Sequence, residues 1–208
     1  MPEVDTILDF DAYIQSEVQS KYIHNALKNL ESILDKHGLT LRRGMNSTLP
    51  GNYRPEGDVT PVCEVSNARL YASLIGILRW LVELGRIDIA CEVSMMSSHT
   101  AMPREGHLNH VLYIFSYLNQ HHNSRLVLNP TYPEVDITAF KRYNWKQFYG
   151  NVKELIPGNV KRTIGKELII RAFVDADFAG DSLTRRSRTG FVVYLNGAPI
   201  FWFSKKQS

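Results

Sequence analysis

The stretch Arg171-Ala-Phe-Val-Asp-Ala-Asp-Phe-Ala-Gly180 decides how the rest of the chain is interpreted. The residues that lead into it, Leu168–Val174, are β-branched, aromatic and apolar, a composition that predicts a buried strand. That strand leads directly into Asp175, and Asp177 follows two residues later. Because side chains alternate along a strand, the two carboxylates are expected on the same face.

Paired carboxylates at the end of a strand allow two interpretations. Hard divalent cations such as Mg²⁺ take oxygen ligands, so Asp175 and Asp177 form a candidate metal site. The alternative is that both aspartates cap the strand and begin a turn, which Gly180 and Asp181 continue. The pattern of two aspartates alone leaves both interpretations open.

The residues after Gly180 predict a hairpin. The apolar run Phe191–Leu195 is followed by Asn196-Gly197, and a second apolar run begins at Ala198. Asn-Gly between two apolar runs is a strong hairpin signal, because both turn residues have to reach positive φ. Three strands are therefore expected in succession, and the first of them carries Asp175.

Basic residues lie at the ends of the predicted hairpin. They are Arg185, Arg186, Arg188, Lys205 and Lys206. Such a cluster is a candidate for contacts with the phosphates of a nucleic acid. The alternatives are that these side chains are solvated, or that the arginines brace the turn.

Residues 20–129 predict a helical region, because apolar residues recur there at helical spacing. The four stripes are Ile23, Ala26, Leu27, Leu30, Ile33 and Leu34; Leu70, Leu74, Ile77, Leu78 and Leu81; Ile89, Val93 and Met96; and Leu108, Val111, Leu112, Phe115 and Leu118. Residues 39–66, rich in glycine and proline, predict a loop. Ser66 is the predicted cap of the second helix, Gly85 its stop, and Pro103 the first-turn residue of the last helix. Residues 125–129 predict a short strand that ends the region.

Two other segments are less regular. Residues 1–19 carry no clear period and stay unassigned. Residues 130–166 form an irregular, aromatic-rich linker, whose aromatic side chains are expected to pack against the rest of the protein. Residues 167–208 then hold the predicted strands.

Composition narrows the class of protein. The 208 residues are 44% hydrophobic and 22% charged, with a net charge of +3, which permits a nucleic-acid partner without requiring one. No targeting signal and no membrane-spanning run is evident, so an intracellular location is expected. Cys63 and Cys91 have no metal-binding spacing, and Cys91 is interpreted as small apolar filler in a helix. His107 and His110 are interpreted as helix-surface residues rather than zinc ligands.

The C-terminal sequence resembles that of a known family. Residues 174–207 read V-D-A-D-F-A-G-D…R-R-S-x-T-G…N-G-x-x-I-x-W-x-S-K-K-Q, which is similar to the start of the ribonuclease H domain in copia-type retrotransposon Pol polyproteins. Tyr71–Trp80, Leu84–Ile89, Pro103–Leu108 and Tyr113–Leu118 look like the segment that follows the polymerase palm in the same polyproteins. The resemblance covers residues 20–208.

The resemblance implies an α+β fold, with a helical thumb/connection-like region (20–129) followed by an incomplete ribonuclease H-like sheet. It implies that the parent is an RNA-directed DNA polymerase with ribonuclease H, that Mg²⁺ serves the intact parent, and that this chain carries no cofactor of its own. Asp175 alone maps onto the ribonuclease H carboxylates. The Y-x-D-D turn of the palm is absent, and the family's further carboxylates are expected beyond Ser208.

Three functional hypotheses follow from this resemblance. The first is a catalytically inactive fragment whose partners are nucleic acid and the remainder of the polyprotein. The second is a module that retains affinity for template-primer or RNA–DNA hybrid. The third is an autonomous metal nuclease built on Asp175, Asp177 and Asp181.

Overall fold

The computed structural model describes residues 20–35, 40–124, 126, 128–129, 131–132, 134, 144, 146–152, 158–159 and 168–208. The helices are α1 (residues 20–35), α2 (Val65–Glu83), α3 (Ala90–Ser97), α4 (Glu105–Gln120) and the single turn α5 (Lys146–Tyr149). The strands are β1 (Ile170–Ala176), β2 (Arg188–Leu195) and β3 (Ala198–Lys206). The predicted α+β class is confirmed.

The strands form an antiparallel sheet in the order β1-β2-β3, with β2 and β3 joined by the turn at Asn196-Gly197. The predicted hairpin is therefore present, but its backbone differs from the prediction. Asn196 has φ of 53°, whereas Gly197 does not adopt positive φ. Gly197 serves close packing instead, because a Cβ there would lie 2.8 Å from the carbonyl oxygen of Asn129.

The hydrophobic core lies among α1, α2, α3 and α4. Each predicted helical stripe supplies buried side chains to it, and the aromatic members Tyr71 and Phe115 are fully buried. One stripe residue was predicted wrongly, since Ile33 is 36% exposed. The buried aliphatic members are Ile23, Leu27, Leu30, Leu34, Leu74, Ile75, Leu78, Leu81, Ile89, Val93, Leu108, Val111, Ile114 and Leu118.

Two helix starts differ from the prediction. Helix α2 begins at Val65 with Glu64 as its N-cap, and no side chain caps it, so the assignment of Ser66 as the cap was wrong. Helix α4 begins at Glu105, and Arg104 is its N-cap, which places Pro103 before the helix rather than in its first turn. The backbone N–H of Arg104 donates to Nδ1 of His107, so a histidine side chain closes this helix end.

The predicted stop of α2 is confirmed. Gly85 has φ of 106°, in the left-handed region that glycine adopts without steric cost. The N–H of Gly85 donates to the carbonyl of Val82, and the N–H of Arg86 donates to the carbonyl of Leu81. These two bonds define a Schellman motif, which satisfies carbonyls that the last helical turn leaves open.

The segment between the helices and the sheet differs from the prediction. Of the strand predicted at 125–129, residues 126, 128 and 129 are described and none is in a strand. In the linker, the described aromatic residues Tyr132, Phe148 and Tyr149 are exposed, so they are not buried against the rest of the protein. Residues 1–19 and most of 130–166 lie outside the described residues. Within the described part of the chain, no helix has the length and apolar character needed to cross a membrane.

The sheet contacts the helices through one of its two faces. Trp202 Nε1 on β3 donates to the carbonyl of Val82 on α2 at 3.0 Å, and Arg188 Nη1 on β2 donates to Ser94 Oγ on α3 at 2.6 Å. Since paired residues of neighbouring strands share a face, Asp175 on β1, opposite Gly190, also faces the helices. The opposite face carries Phe201 and Phe203, which are exposed among the described residues.

Candidate functional site

Asp175 lies inside strand β1, not directly after it. The strand continues to Ala176, and Asp175 pairs with Gly190 of β2. The side chain is exposed and lines a cavity of about 680 Å³ between the sheet and the start of α3, with Asp177 and Cys91 also on its wall. The two predicted carboxylates therefore open onto the same cavity.

Asp177 is engaged by the backbone of its own turn. Its Oδ1 accepts the N–H of Arg188 at 2.6 Å and that of Gly180 at 3.4 Å, and its N–H donates to the carbonyl of Arg188. The carboxylate also lies against Gly180, where a Cβ would be 2.6 Å from Asp177 Cγ. The geometry of Asp177 is that of a turn-forming residue, which is the second of the two interpretations.

Asp181 is also held by hydrogen bonds within the loop that joins β1 to β2 (residues 177–187). Its Oδ1 accepts the N–H groups of Leu183 at 3.2 Å and Thr184 at 2.8 Å, and its Oδ2 pairs with Lys206 Nζ at 2.8 Å. The hydrogen bond from Lys206 and the bonds from Thr184 hold the pKa of Asp181 well below its usual range. The carboxylate is thus ionised and already paired.

These carboxylates do not fit the magnesium chemistry that the resemblance implies. Two-metal phosphodiester cleavage needs ions about 3.5–4 Å apart, held by several carboxylates. Among the described residues, no group of three or more Asp, Glu, His or Cys side chains is arranged to hold a metal ion. The carboxylate oxygens of Asp177 and Asp181 already accept hydrogen bonds from backbone N–H groups and from Lys206. Of the three aspartates, Asp175 is the one whose carboxylate makes no such bond among the described residues.

A pair of substitutions separates the turn role of Asp177 from a metal role. Asp177→Ala removes the acceptor for Arg188 N–H and is expected to lower the free energy of unfolding by about 1 kcal/mol. Asp177→Asn keeps an oxygen acceptor and is expected to lower it by only about 0.5 kcal/mol or less. Urea denaturation of both variants measures the difference. Equal losses in the two variants would contradict the turn role.

The structure brings the predicted basic residues together at the open end of the β2–β3 hairpin. Arg188 pairs across the strands with Lys206, and Thr189 pairs with Lys205. Two of the five cations are committed to protein partners, since Arg188 donates to Ser94 Oγ and Lys206 pairs with Asp181.

Arg185, Arg186 and Lys205 remain exposed to solvent. Within the described residues their cationic groups make no hydrogen bond or ion pair. Arg185 also adopts φ of 56°, a left-handed conformation that is uncommon for a residue with a Cβ.

A cleft of about 610 Å³ runs between β3 and helices α2 and α3. We call its four cations the basic rim: Arg79, Arg186, Lys205 and Lys206. Sequence reasoning missed Arg79, because it lies on α2, more than a hundred residues before the hairpin, and no local pattern connects the two. The contacts of Ser94 and Glu56 were missed for the same reason, because both residues are distant in sequence from the segment that they contact. Glu56 Oε1 accepts the N–H and the hydroxyl of Ser182.

The interpretation of His107 as a surface residue is wrong. Its side chain is buried, Nδ1 accepts the N–H of Arg104, and Nε2 lies 2.8 Å from the carbonyl of Pro55. Because a carbonyl only accepts, Nε2 carries the proton and the imidazole is neutral. His110 is half-buried and stacks on Tyr53, with ring centroids 3.3 Å apart. Both histidines are therefore structural.

Neither Cys63 nor His99 carries a charge at neutral pH, because burial shifts the pKa of each. Burial raises the pKa of the Cys63 thiol to about 11, with Glu105 adding to the effect, so Cys63 is a poor nucleophile. Cys91 is exposed rather than buried filler, which corrects the prediction. Burial, His107 and Lys206 lower the pKa of His99 to about 4, so His99 is neutral where it lines a smaller cavity beside Asp177.

Comparison with known proteins identifies retrotransposon Pol polyproteins among the relatives of the chain. The chain is 29% identical over 137 residues to a retrovirus-related Pol polyprotein from transposon RE1 of Arabidopsis thaliana, which covers 66% of the chain and 7% of the polyprotein. It is 22% identical over 184 residues to the corresponding polyprotein from transposon TNT 1-94 of Nicotiana tabacum, which covers 86% of the chain and 11% of the polyprotein. The chain thus spans a small part of these polyproteins.

A further relative has a different name. The chain is 26% identical over 137 residues to secreted RxLR effector protein 161 of Plasmopara viticola, which covers 66% of the chain and 72% of that protein. No protein-family model matches the chain, and no solved structure matches it. The chain is related in sequence to the retrovirus-related Pol polyproteins of transposons, which confirms the resemblance that its motifs predicted.

Proposed function

We propose that this chain is a segment of a retrotransposon Pol polyprotein from the junction of polymerase and ribonuclease H, and that it holds nucleic acid without cutting it. Its relatives include Pol polyproteins, and the order of its motifs resembles that of a thumb and connection followed by the start of ribonuclease H. The helical layer and the sheet then supply the two walls of one nucleic-acid site.

The observation that carries this proposal is the basic rim. Cations from α2, from the loop before β2 and from the end of β3 converge on one cleft. Arg186 and Lys205 are exposed there, so their charges are available to a ligand. Phosphate contacts from lysine and arginine supply most of the affinity in binding that does not depend on base sequence. An RNA–DNA hybrid or a template-primer is the ligand that fits both the rim and the relatives.

The first experiment measures the salt dependence of hybrid binding. Replacing the rim residues Arg79, Arg186 and Lys205 together with glutamine is expected to reduce the slope of log K against log salt by roughly two to three, since each phosphate that a cation neutralises contributes about 0.9 to the slope. These three cations are chosen because they are exposed, whereas Lys206, the fourth residue of the rim, pairs with Asp181 and so also stabilises the protein. Fluorescence anisotropy with a labelled RNA–DNA hybrid at several salt concentrations gives the slope.

A matched control replaces Lys21, Lys28 and Arg69, which lie on α1 and α2 away from the rim, with glutamine. It removes the same charge and is expected to leave the slope close to that of the parent chain. Equal slopes in the rim variant and the parent chain would refute the assignment of the rim.

The second experiment tests for cleavage. The purified chain is expected to show no hybrid cleavage with Mg²⁺ or Mn²⁺, because two-metal cleavage needs several carboxylates and the described residues hold no group of three or more potential metal ligands. The assay compares the parent chain with Asp175→Asn, which removes the ionised ligand. Turnover in the parent chain that disappears in Asp175→Asn would instead support the autonomous nuclease.

A further inference from the structure

The smaller cavity, beside Asp177, lies between the helical layer and the loop that joins β1 to β2. Its wall on the helical side comes from the 3₁₀ turn Pro55–Gly57 with the residue before it, and from α3 and the residues after it. Its volume of about 180 Å³ is below the range of about 300–1,000 Å³ that holds drug-sized ligands. The cavity therefore suits a small chemical group rather than a whole nucleotide.

The side chains around this cavity carry an excess of positive charge. His99 lines it and is neutral, since burial lowers its pKa to about 4. Four cations line it against three carboxylates. They are Arg54, Arg186, Arg188 and Lys206 on one side of the balance, and Glu56, Asp177 and Asp181 on the other. The net charge of the lining side chains at neutral pH is therefore positive.

The three carboxylates are turned to partners other than arginine side chains. Asp177 accepts backbone N–H groups of its own turn, and Asp181 pairs with Lys206. Glu56 Oε1 accepts the N–H and the hydroxyl of Ser182. Among the described residues, no guanidinium donates to any of these carboxylates, although arginines line the same cavity.

Two arginine side chains are consequently available to a ligand. Arg54 and Arg186 are exposed, and within the described residues their guanidinium groups make no hydrogen bond or ion pair. Arg54 lies directly before the turn Pro55–Gly57 and Arg186 lies in the loop, so they reach the cavity from its two walls. A guanidinium presents its N–H donors in a planar fork that matches the oxygens of a phosphate. Two such groups at one small cavity favour a phosphate as the ligand.

We propose that this cavity binds a phosphate group between Arg54 and Arg186, and that the group is the terminal phosphate of a nucleic-acid strand held in the cleft. The choice of a strand end rests on the proposed function, because Arg186 also belongs to the basic rim and so connects the cavity to the cleft. A terminal phosphate carries a charge of about −1.5 to −2 at neutral pH, more than the single charge of a phosphate within a strand. It also has chain on one side only, so it enters a small cavity more readily.

Phosphorus NMR of inorganic phosphate, at constant ionic strength, tests the cavity without nucleic acid. The phosphate signal is expected to broaden on addition of the full chain, with a dissociation constant in the millimolar range, and to stay sharp with Arg54→Gln. Arg54 is chosen because it is exposed and lies outside the basic rim. Arg43→Gln removes the same charge from another exposed position and is expected to broaden the signal as the parent chain does. A signal that stays sharp with the parent chain, or that broadens equally with Arg54→Gln, would overturn the proposal.

Hybrids that differ only at their ends test the source of the phosphate. Fluorescence anisotropy compares a labelled RNA–DNA hybrid that carries a phosphate at one terminus, at the opposite terminus or at neither. The parent chain is expected to bind one of the phosphorylated hybrids about tenfold more tightly than the hydroxyl-ended hybrid. This preference is expected to disappear in Arg54→Gln and to persist in Arg43→Gln.

The outcomes distinguish this site from the basic rim. A hydroxyl-ended hybrid that binds with the salt slope of the rim, without any gain from a terminal phosphate, would overturn the assignment to a strand end and leave the proposed function intact. Inorganic phosphate that binds in an Arg54-dependent way, to a chain that binds no hybrid, would overturn the proposed function and support the cavity as a site for free phosphate.

Discussion

Gly106→Ala is expected to lower the free energy of unfolding by about 2–4 kcal/mol, although alanine is the better helix former. Gly106 lies in the first turn of α4, and the Asp58 side chain packs directly on it, so that an added Cβ would be 2.7 Å from Asp58 Cγ. The carboxylate is fixed there by the N–H of Thr60 at 2.9 Å, the hydroxyl of Thr60 at 2.6 Å and the hydroxyl of Tyr53 at 3.1 Å. Accommodating the methyl group requires the carboxylate to give up these bonds.

The same substitution in α2 provides the control. Gly76 is exposed in a helix interior, and an added Cβ meets no atom within 4 Å. Gly76→Ala is therefore expected to raise the free energy of unfolding by about 0.5–1 kcal/mol, the opposite sign.

A double-mutant cycle identifies the cause of the loss at Gly106. In an Asp58→Ala background the steric conflict is absent, so Gly106→Ala is expected to be close to neutral there. Urea denaturation of the four proteins of the cycle gives the coupling between the two sites. Additive losses would show that the carboxylate is not what excludes a side chain at Gly106.

Much of the architecture was predictable because it depends on local patterns. The 3.6-residue period located the buried faces of the helices, and Asn196-Gly197 located the hairpin. Helix starts were less predictable, since α4 is capped by His107, a residue type that no simple capping rule selects. The role of Gly197 in close packing was also missed, because it depends on a contact with Asn129, which is distant in sequence.

The candidate site was predictable in composition but not in geometry. The sequence indicated which carboxylates and cations gather near the hairpin, and the structure brings them to the same end of the sheet. Their partners could not be foreseen, because Ser94 contacts Arg188 from 94 residues away and Glu56 contacts Ser182 from 126 residues away. Such pairings are set by how the layers pack. Local spacing therefore cannot distinguish a free carboxylate, such as Asp175, from an engaged one, such as Asp177.

Arg86→Met is expected to lower the free energy of unfolding by about 2–3 kcal/mol at neutral pH. The Arg86 side chain is 1% exposed, and it donates through Nε and Nη2 to the carboxylate of Asp88 at 2.8 and 2.6 Å. Its Nη1 donates to the carbonyl of His121 at 3.0 Å, which ties the end of α2 to the end of α4. Methionine fills similar volume but leaves these acceptors without a donor. The loss stays below that for a fully buried pair, because Asp88 is about a third exposed.

The pH dependence of this loss tests its origin. Burial raises the pKa of Asp88, but the hydrogen bonds and charge of Arg86 outweigh burial and hold the pKa below its usual range. A carboxyl group with a lowered folded-state pKa stabilises the protein above its unfolded pKa, and this contribution disappears as the pH falls through the folded value. The difference in free energy of unfolding between the parent chain and Arg86→Met should therefore be largest near neutral pH. It should decrease toward about pH 3, below the unfolded pKa of about 3.9.

Arg69→Met, at an exposed position of α2, is the control and is expected to change the free energy of unfolding by less than about 0.5 kcal/mol at either pH. An Arg86→Met gap that is the same at both pH values would mean that packing, and not the pairing with Asp88, accounts for the loss.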